Sequence, residues 1–281
     1  AGNTLTELGK INRLTVTRRS ANGAYLDGGE LGEILLPKKM VREELAVGDV
    51  VEVFLFRDHQ ERLTATTEQP FAQVGEFAYL RASAVTNVGA FLDWGLTKEL
   101  LVPFREQKQR MEAGKYYVVF VYVDEQTHRI VASTKIDRFL SKDKPEYAIG
   151  DEVSLLVEGK TDLGFKVIIN HRHRGIVYHN EVFRELKIGE KTSGYIKKVR
   201  EDGKIDVLLD KPGAEKADDL SEMILQMLRK NGGFLSVNDQ TDPQVIYEQF
   251  GVSKKTFKKA IGALYKRRMI TLRPDGIRLT R

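Results

Sequence analysis

The sequence predicts a mainly β chain: three small five-stranded barrels in tandem, followed by a carboxy-terminal winged helix-turn-helix. Two stretches repeat each other at a constant offset of 66 residues. Gly23-Ala24-Tyr25-Leu26-Asp27 returns as Gly89-Ala90-Phe91-Leu92-Asp93, Leu35-Leu36-Pro37 as Leu101-Val102-Pro103, Gly48 as Gly114 and Asp58 as Asp124. A fainter third copy lies 75 residues further on, where Gly164 answers Gly89 and Gly189 answers Gly114. Past residue 218 the apolar residues change to helical spacing. A repeat of about 70 residues is long enough to hold its own core, so the pattern describes an array of domains and not a solenoid.

Each copy reads as short strands. In the first, Leu14 and Val16 alternate with Thr15 and Thr17. Asn22-Gly23 marks a tight turn, and residues 24–27 resume an extended run. Gly48-Asp49 precedes residues 50–56, rich in β-branched and aromatic side chains. Residues 62–66 close the unit. The second copy gives Gly114, then 116–123, then 129–133; the third gives the apolar run 165–169 after Gly164. Five strands, with a glycine at the first turn and another before the fourth strand, fit a closed barrel of the oligonucleotide-binding (OB) type. The expected domains are 1–70, 71–139, a divergent third barrel at 149–211, and 218–281. Stretches 139–148 and 210–219, with Pro, Gly and charge, are the expected linkers.

In the last domain Leu220, Ile224, Met227 and Leu228 share a helix face. Asp242-Pro243 is a cap followed by proline at the first helical position. It opens a helix carrying Val245, Ile246 and Phe250. Gly251-Val252-Ser253 is a turn, and Ser253 caps a third helix. There Phe257, Ile261 and Leu264 take one face, and Lys255, Lys259 and Lys266 the opposite one, with Gly262 among them. Two strands around Arg273-Pro274-Asp275 form the wing. Readers of duplex DNA insert the third helix of this shape into the major groove, but the fold also serves RNA and protein contacts.

Composition narrows the function. Residues 251–281 carry ten Lys and Arg against one acid, Asp275, a net +9, and the other 250 residues carry −4. A concentrated basic segment marks a polyanion binder; a solvated basic tail is the bland alternative. The chain has no cysteine, which excludes disulfides and thiolate metal sites and fits a reducing cytoplasm. No apolar run approaches the ~20 residues that span a bilayer, and no signal-peptide pattern stands out. Phosphate-binding glycine loops and nucleophile elbows are absent, so no enzyme and no cofactor are expected. Asp58 and Asp124 sit in different repeats, too far apart to act as a carboxylate pair. His171-Arg172-His173-Arg174 reads as a basic loop or strand and not as a metal site.

The repeated Gly-Ala-aromatic-hydrophobic-Asp core, the Gly-Asp before the fourth strand and the closing basic-aliphatic-x-Ala-Ser/Thr strand resemble the S-one domain, an RNA-binding barrel. Three such barrels followed by a winged helix resemble the conserved virulence factor B family of bacteria. The resemblance implies a binding face made by the residue before the first glycine, the aromatic two after it, a His or aromatic after the third strand, and a closing Asp with a basic residue. In copy one these are Asn22, Tyr25, Pro37, Asp58 and Arg62; in copy two Val88, Phe91, Pro103, Asp124 and Arg129; in copy three Leu163, Lys166, Tyr178 and Lys204. No copy carries the full aromatic platform, which favours weak sites acting together.

The expected function is non-catalytic binding of single-stranded RNA in the cytoplasm, in a regulatory role. The expected contacts are Tyr25, Lys38, Lys39, Arg62, Phe91, Arg129, Lys166, Tyr178, Lys255, Lys259 and Lys266. The alternatives are a DNA-binding transcription regulator, a scaffold docking on ribosome or polymerase, and, more remotely, a metal-dependent nuclease. For Tyr25 and Phe91 the competing reading is a place in the barrel core; for Trp94, packing is expected.

Overall fold

Alternation decides the first barrel. Along Gly23–Asp27, Ala24 and Leu26 are fully buried while Tyr25 between them is only half-buried, so the even positions face the core and Tyr25 faces out. In the computed structural model, which describes residues 5–182, 184–211 and 214–280, five strands close this barrel: β1 (Ile11–Ser20), β2 (Gly23–Asp27), β3 (Glu33–Pro37), β4 (Val50–Arg57) and β5 (Leu63–Thr66). The spatial order is β1-β2-β3-β5-β4, with β3 and β5 parallel, as in an OB fold.

The second barrel repeats this with β6 (Phe77–Val85), β7 (Gly89–Asp93), β8 (Leu100–Pro103), β9 (Tyr116–Val123) and β10 (Ile130–Ser133). The third uses β11 (Glu152–Lys160), β12 (Gly164–Ile169), β13 (His173–Tyr178), β14 (Lys191–Val199) and β15 (Ile205–Leu208). The repeat spacing read from sequence is the structural register. Gly23 pairs with Pro37, Gly89 with Pro103 and Gly164 with Tyr178. A β-carbon at any of these glycines would collide with the carbonyl oxygen of Leu36, Val102 or Val177, which is why the turn demands glycine. The first strand of each barrel also carries a bulge at the same place, between Val16 and Arg18, Ala82 and Ala84, and Val157 and Gly159, bending it around the closed sheet.

The chain divides into two compact units, Ala1–Leu140 and Ser141–Arg281. Within the first, the two barrels share apolar packing. Phe54 of β4 belongs to the second barrel's core cluster, edge-on to Trp94 at 5.4 Å between centroids. Ile11 and Phe56 pack there too. Trp94 is buried, and its indole N–H donates to the Lys98 carbonyl at 2.6 Å.

In the second unit, part of the 139–148 stretch is bound to the third barrel. The Tyr147 hydroxyl lies 2.8 Å from Nδ1 of the buried His173. The other expected linker, 210–219, includes residues 212 and 213, which lie outside the described residues. The winged helix follows as α1 (Ala214–Lys230), α2 (Pro243–Phe250), α3 (Lys254–Lys266) and a sheet in the order β16 (Phe234–Leu235), β18 (Gly276–Leu279), β17 (Ile270–Arg273). The caps are those the sequence announces. Asp242 accepts from the Gln244 N–H at 2.8 Å and Ser253 from the Thr256 N–H at 3.0 Å, each satisfying a donor the helix leaves free. Strand β16 is an addition: two residues carry too little pattern to announce a strand. Among the described residues no helix is long and apolar enough to cross a membrane.

Candidate nucleic-acid interface

The expected face of each barrel is built by its second, third and fifth strands. In the first barrel Tyr25 projects outward from β2, against the reading that would place it in the core. Arg18, its cross-strand partner on β1, lies over the ring at 3.8 Å from the centroid and is held there by Glu33 at 3.1 Å. A cation over an exposed aromatic contributes about 0.5–1 kcal/mol, so one face of this ring is already occupied. Lys38 and Lys39 are exposed in the short turn after Pro37. Arg62, 70% exposed, pairs with Asp58 at 3.0 Å. Burial pushes the Asp58 carboxyl up, but the N–H groups of Arg62 and Gln60 and the Arg62 guanidinium outweigh it and hold it below its ordinary value.

In the second barrel Phe91 and Arg129 meet in one cleft of about 260 Å³, floored by Leu101 and Val131 and rimmed by Val88 and Lys98. Phe91 also lies outside the core, between the buried Ala90 and Leu92. The first barrel supplies the opposite wall through Phe56, Arg57, His59 and Glu61. Lys98 Nζ donates to the carbonyls of Arg57 and Asp58 at 2.6 and 2.8 Å. Glu61 lies 3.6 Å from Lys98 and 3.3 Å from Arg129. Burial pulls the Lys98 ammonium below its ordinary value, with Glu61 opposing. Asp124 accepts from the N–H groups of Gln126 and Thr127 and pairs with Arg105; together these hold its carboxyl low.

In the third barrel Tyr178 is half-buried, and its hydroxyl lies 2.6 Å from Arg200 Nη2. Arg200 in turn donates from Nε and Nη2 to Asp206 Oδ2, both at 3.1 Å. Lys166 is half-buried on β12, between the buried Phe165 and Val167. Lys204 is exposed in the loop before β15. Neither Arg200 nor Asp206 was among the residues expected from sequence, and neither were Arg18, Lys98 or Glu61.

On the winged helix, Lys255, Lys259 and Lys266 are exposed, opposite the buried Phe257, Ala260, Ile261 and Leu264. Lys255 and Lys259 line a small cleft of about 80 Å³ together with Lys197 and Lys211 of the third-barrel side; Lys266 lies beyond it on the same helix. Lys197 pairs with Glu181 at 2.8 Å.

The family matches agree with the first two barrels and with the winged helix. The S1 domain family matches residues 8–68 and 74–135, and the CvfB-like winged helix domain family matches residues 222–279. Neither of these two families describes an enzyme. The YitL protein of Bacillus subtilis is 28% identical over 271 residues, covering 90% of this chain and 87% of that protein. Conserved virulence factor B of Staphylococcus epidermidis is 25% identical, covering 98% of this chain and 95% of that protein. A crystal structure from Streptococcus pneumoniae, described as a multidomain protein with nucleic acid binding domains, is 24% identical and covers 97% of this chain and 98% of its own, with a TM-score of 0.40.

Proposed function

We propose, from the premise that this chain belongs to the conserved virulence factor B family, that it is a non-catalytic regulator that binds single-stranded RNA. One observation carries the reading. Each barrel turns an outward aromatic toward cations, from the second strand in the first two barrels and from the end of the third strand in the third: Tyr25 under Arg18, Phe91 beside Arg129, Tyr178 beside Arg200. Unstacked bases bind to such rings, and Lys and Arg follow the phosphates. Tyr25, Lys38, Lys39 and Arg62 would serve the first barrel, Phe91 and Arg129 the second, Lys166 and Tyr178 the third. Lys255, Lys259 and Lys266 would add phosphate contacts from α3. The regulatory role rests on the name carried by the staphylococcal relatives.

The exposed third helix of a winged fold favours one second reading, a duplex-DNA reader. Binding of the full chain to a single-stranded RNA and to duplex DNA of equal length separates the two. The RNA should bind more tightly. Log affinity should fall linearly with log salt, by about 0.7 per phosphate contact. Replacing Lys255, Lys259 and Lys266 together by Gln should flatten that slope by up to ~2 and weaken all sequences alike. A clear preference for duplex, or an affinity indifferent to salt, overturns the RNA reading.

A further inference from the structure

The third barrel is the most divergent in sequence, yet it holds a polar set the other two lack. The parallel pairing of third and fifth strands aligns the three barrels. Thr64 pairs with Leu35, Val131 with Leu101 and Asp206 with Ile176. These three positions alternate with core residues: Ala65, Ala132, and Ile205 with Val207 belong to the core clusters. They therefore lie on the outer side of the barrel wall, under the binding face. In the second barrel the equivalent residue, Val131, floors the cleft that holds Phe91. The third barrel places a carboxylate there.

Two further positions change with it. Tyr178 stands where the other barrels have Pro37 and Pro103. Arg200 stands where they have Asp58 and Asp124: the N–H of each donates across the same loop, to Arg62, Arg129 and Lys204 respectively. The three replacements contact one another, Tyr178 to Arg200 and Arg200 to Asp206. Asp206 is 6% exposed, and Arg200 engages only its Oδ2. Oδ1 is buried and has no hydrogen-bond partner among the described residues. A buried acceptor without a donor costs roughly 1–3 kcal/mol, and such a group calls for an explanation.

We propose that Asp206 Oδ1 is the acceptor of a selective subsite on the third barrel, filled by an N–H or O–H donor of a bound nucleic acid. The proposal rests on the RNA-binding reading above and goes further, because it assigns selectivity to one residue. Phosphate is excluded as the group at Oδ1, since it offers no donor and repels a carboxylate. The remaining donors are a base edge and a ribose hydroxyl. The Tyr178 ring lies beside the site to stack the same nucleotide. Its hydroxyl, having accepted from Arg200, keeps its own proton to donate. Arg200, whose side chain is 41% exposed, extends the set to the solvent-facing side of the barrel.

The test offers the full chain a pool of random single-stranded RNA and a matched DNA pool, and sequences what is retained. Asp206→Thr and Asp206→Val install the residues that the other two barrels already hold at this position. The wild type should select one base, or RNA over DNA, by roughly tenfold. Both variants should lose that selection with the salt slope unchanged, because phosphate contacts carry no sequence information. Lost base selection in both pools puts the donor on a base; lost preference for RNA puts it on the ribose hydroxyl. Retention with selectivity unchanged in both variants overturns this proposal alone. No retention of either pool by the wild type overturns the RNA-binding reading as well. Should these two variants fail to fold, the isosteric Asp206→Asn can keep its carbonyl on Arg200 and put an NH2 group in place of the Oδ1 acceptor. Reduced selectivity supports the proposal, and unaltered selectivity overturns it.

Discussion

Gly262 sits in the interior of α3, where glycine is about 0.8–1.0 kcal/mol less favourable than alanine. No packing explains it. Among the described residues nothing lies within 4 Å of the place its β-carbon would take, and its backbone is not left-handed. Gly262→Ala should therefore stabilise the helix by about 1 kcal/mol without a clash. Gly262 also lies on the stripe Lys255, Lys259, Gly262, Lys266, spaced by four, three and four residues on one helix face. On the proposed reading, three cations around a bare stretch of backbone would let a polyanion approach the helix closely. Alanine there should hold the phosphates off. Amide exchange along α3 in the full chain should slow by about fivefold, the equivalent of 1 kcal/mol, while affinity for single-stranded RNA falls several-fold. A stabilised helix with undiminished RNA affinity would refute the close approach. An unstabilised helix would refute the reading of α3 itself.

Phe91→Ala should weaken RNA binding by about 1 kcal/mol, the low end for one stacked base. It should leave the urea midpoint close to wild type, because the ring lines the cleft and not the core; unfolding with unaltered binding per folded molecule contradicts this. Acid should weaken the first unit. Folding holds Asp58, Glu106 and Asp124 below their ordinary values of 3.8, 4.5 and 3.8, Glu106 through Arg138 and Ser133 against the opposing effect of burial. A lowered carboxyl contributes stability above the unfolded value and loses it as pH falls through the folded one. Urea midpoints should be level from pH 7 to about pH 5 and fall below about pH 4; a flat profile down to pH 3 contradicts it.

Much of the fold was legible because its punctuation is local. Gly23 and Gly89 announce turns only glycine can make, and Asp242-Pro243 and Ser253 announce helix starts. The constant spacing even aligned the third barrel, where Tyr178 answers Pro103. The missed site residues depend on contacts between distant segments. Glu61 meets Lys98 and Arg129 only because two barrels dock, and no spacing encodes that. Asp206 escaped for another reason. Period-two alternation separates inner from outer positions, but it does not reveal that an outer position is itself buried. A signal did exist: with the closing strands aligned, Asp206 falls where the other copies have Thr64 and Val131.

The platforms are incomplete in different ways, and this bears on how the modules work. Tyr25 is covered on one face by Arg18, the cations beside Phe91 are shared with Glu61, and the third barrel holds a carboxylate among its contacts. On the RNA-binding reading, none would bind tightly alone. Suppose each module binds with a Kd of about 1 mM, or −4.1 kcal/mol. Linked at an effective concentration of ~10 mM, each added module tightens binding about tenfold, so four reach roughly micromolar affinity. Strength then comes from the array and selectivity from whichever module reads a base. That division gives a reason for the third barrel to diverge. On the proposed reading, two barrels and a basic helix would hold a strand by ring and charge, leaving one barrel free to exchange the neutral Thr64 or Val131 position for the carboxylate of Asp206 as a discriminating group.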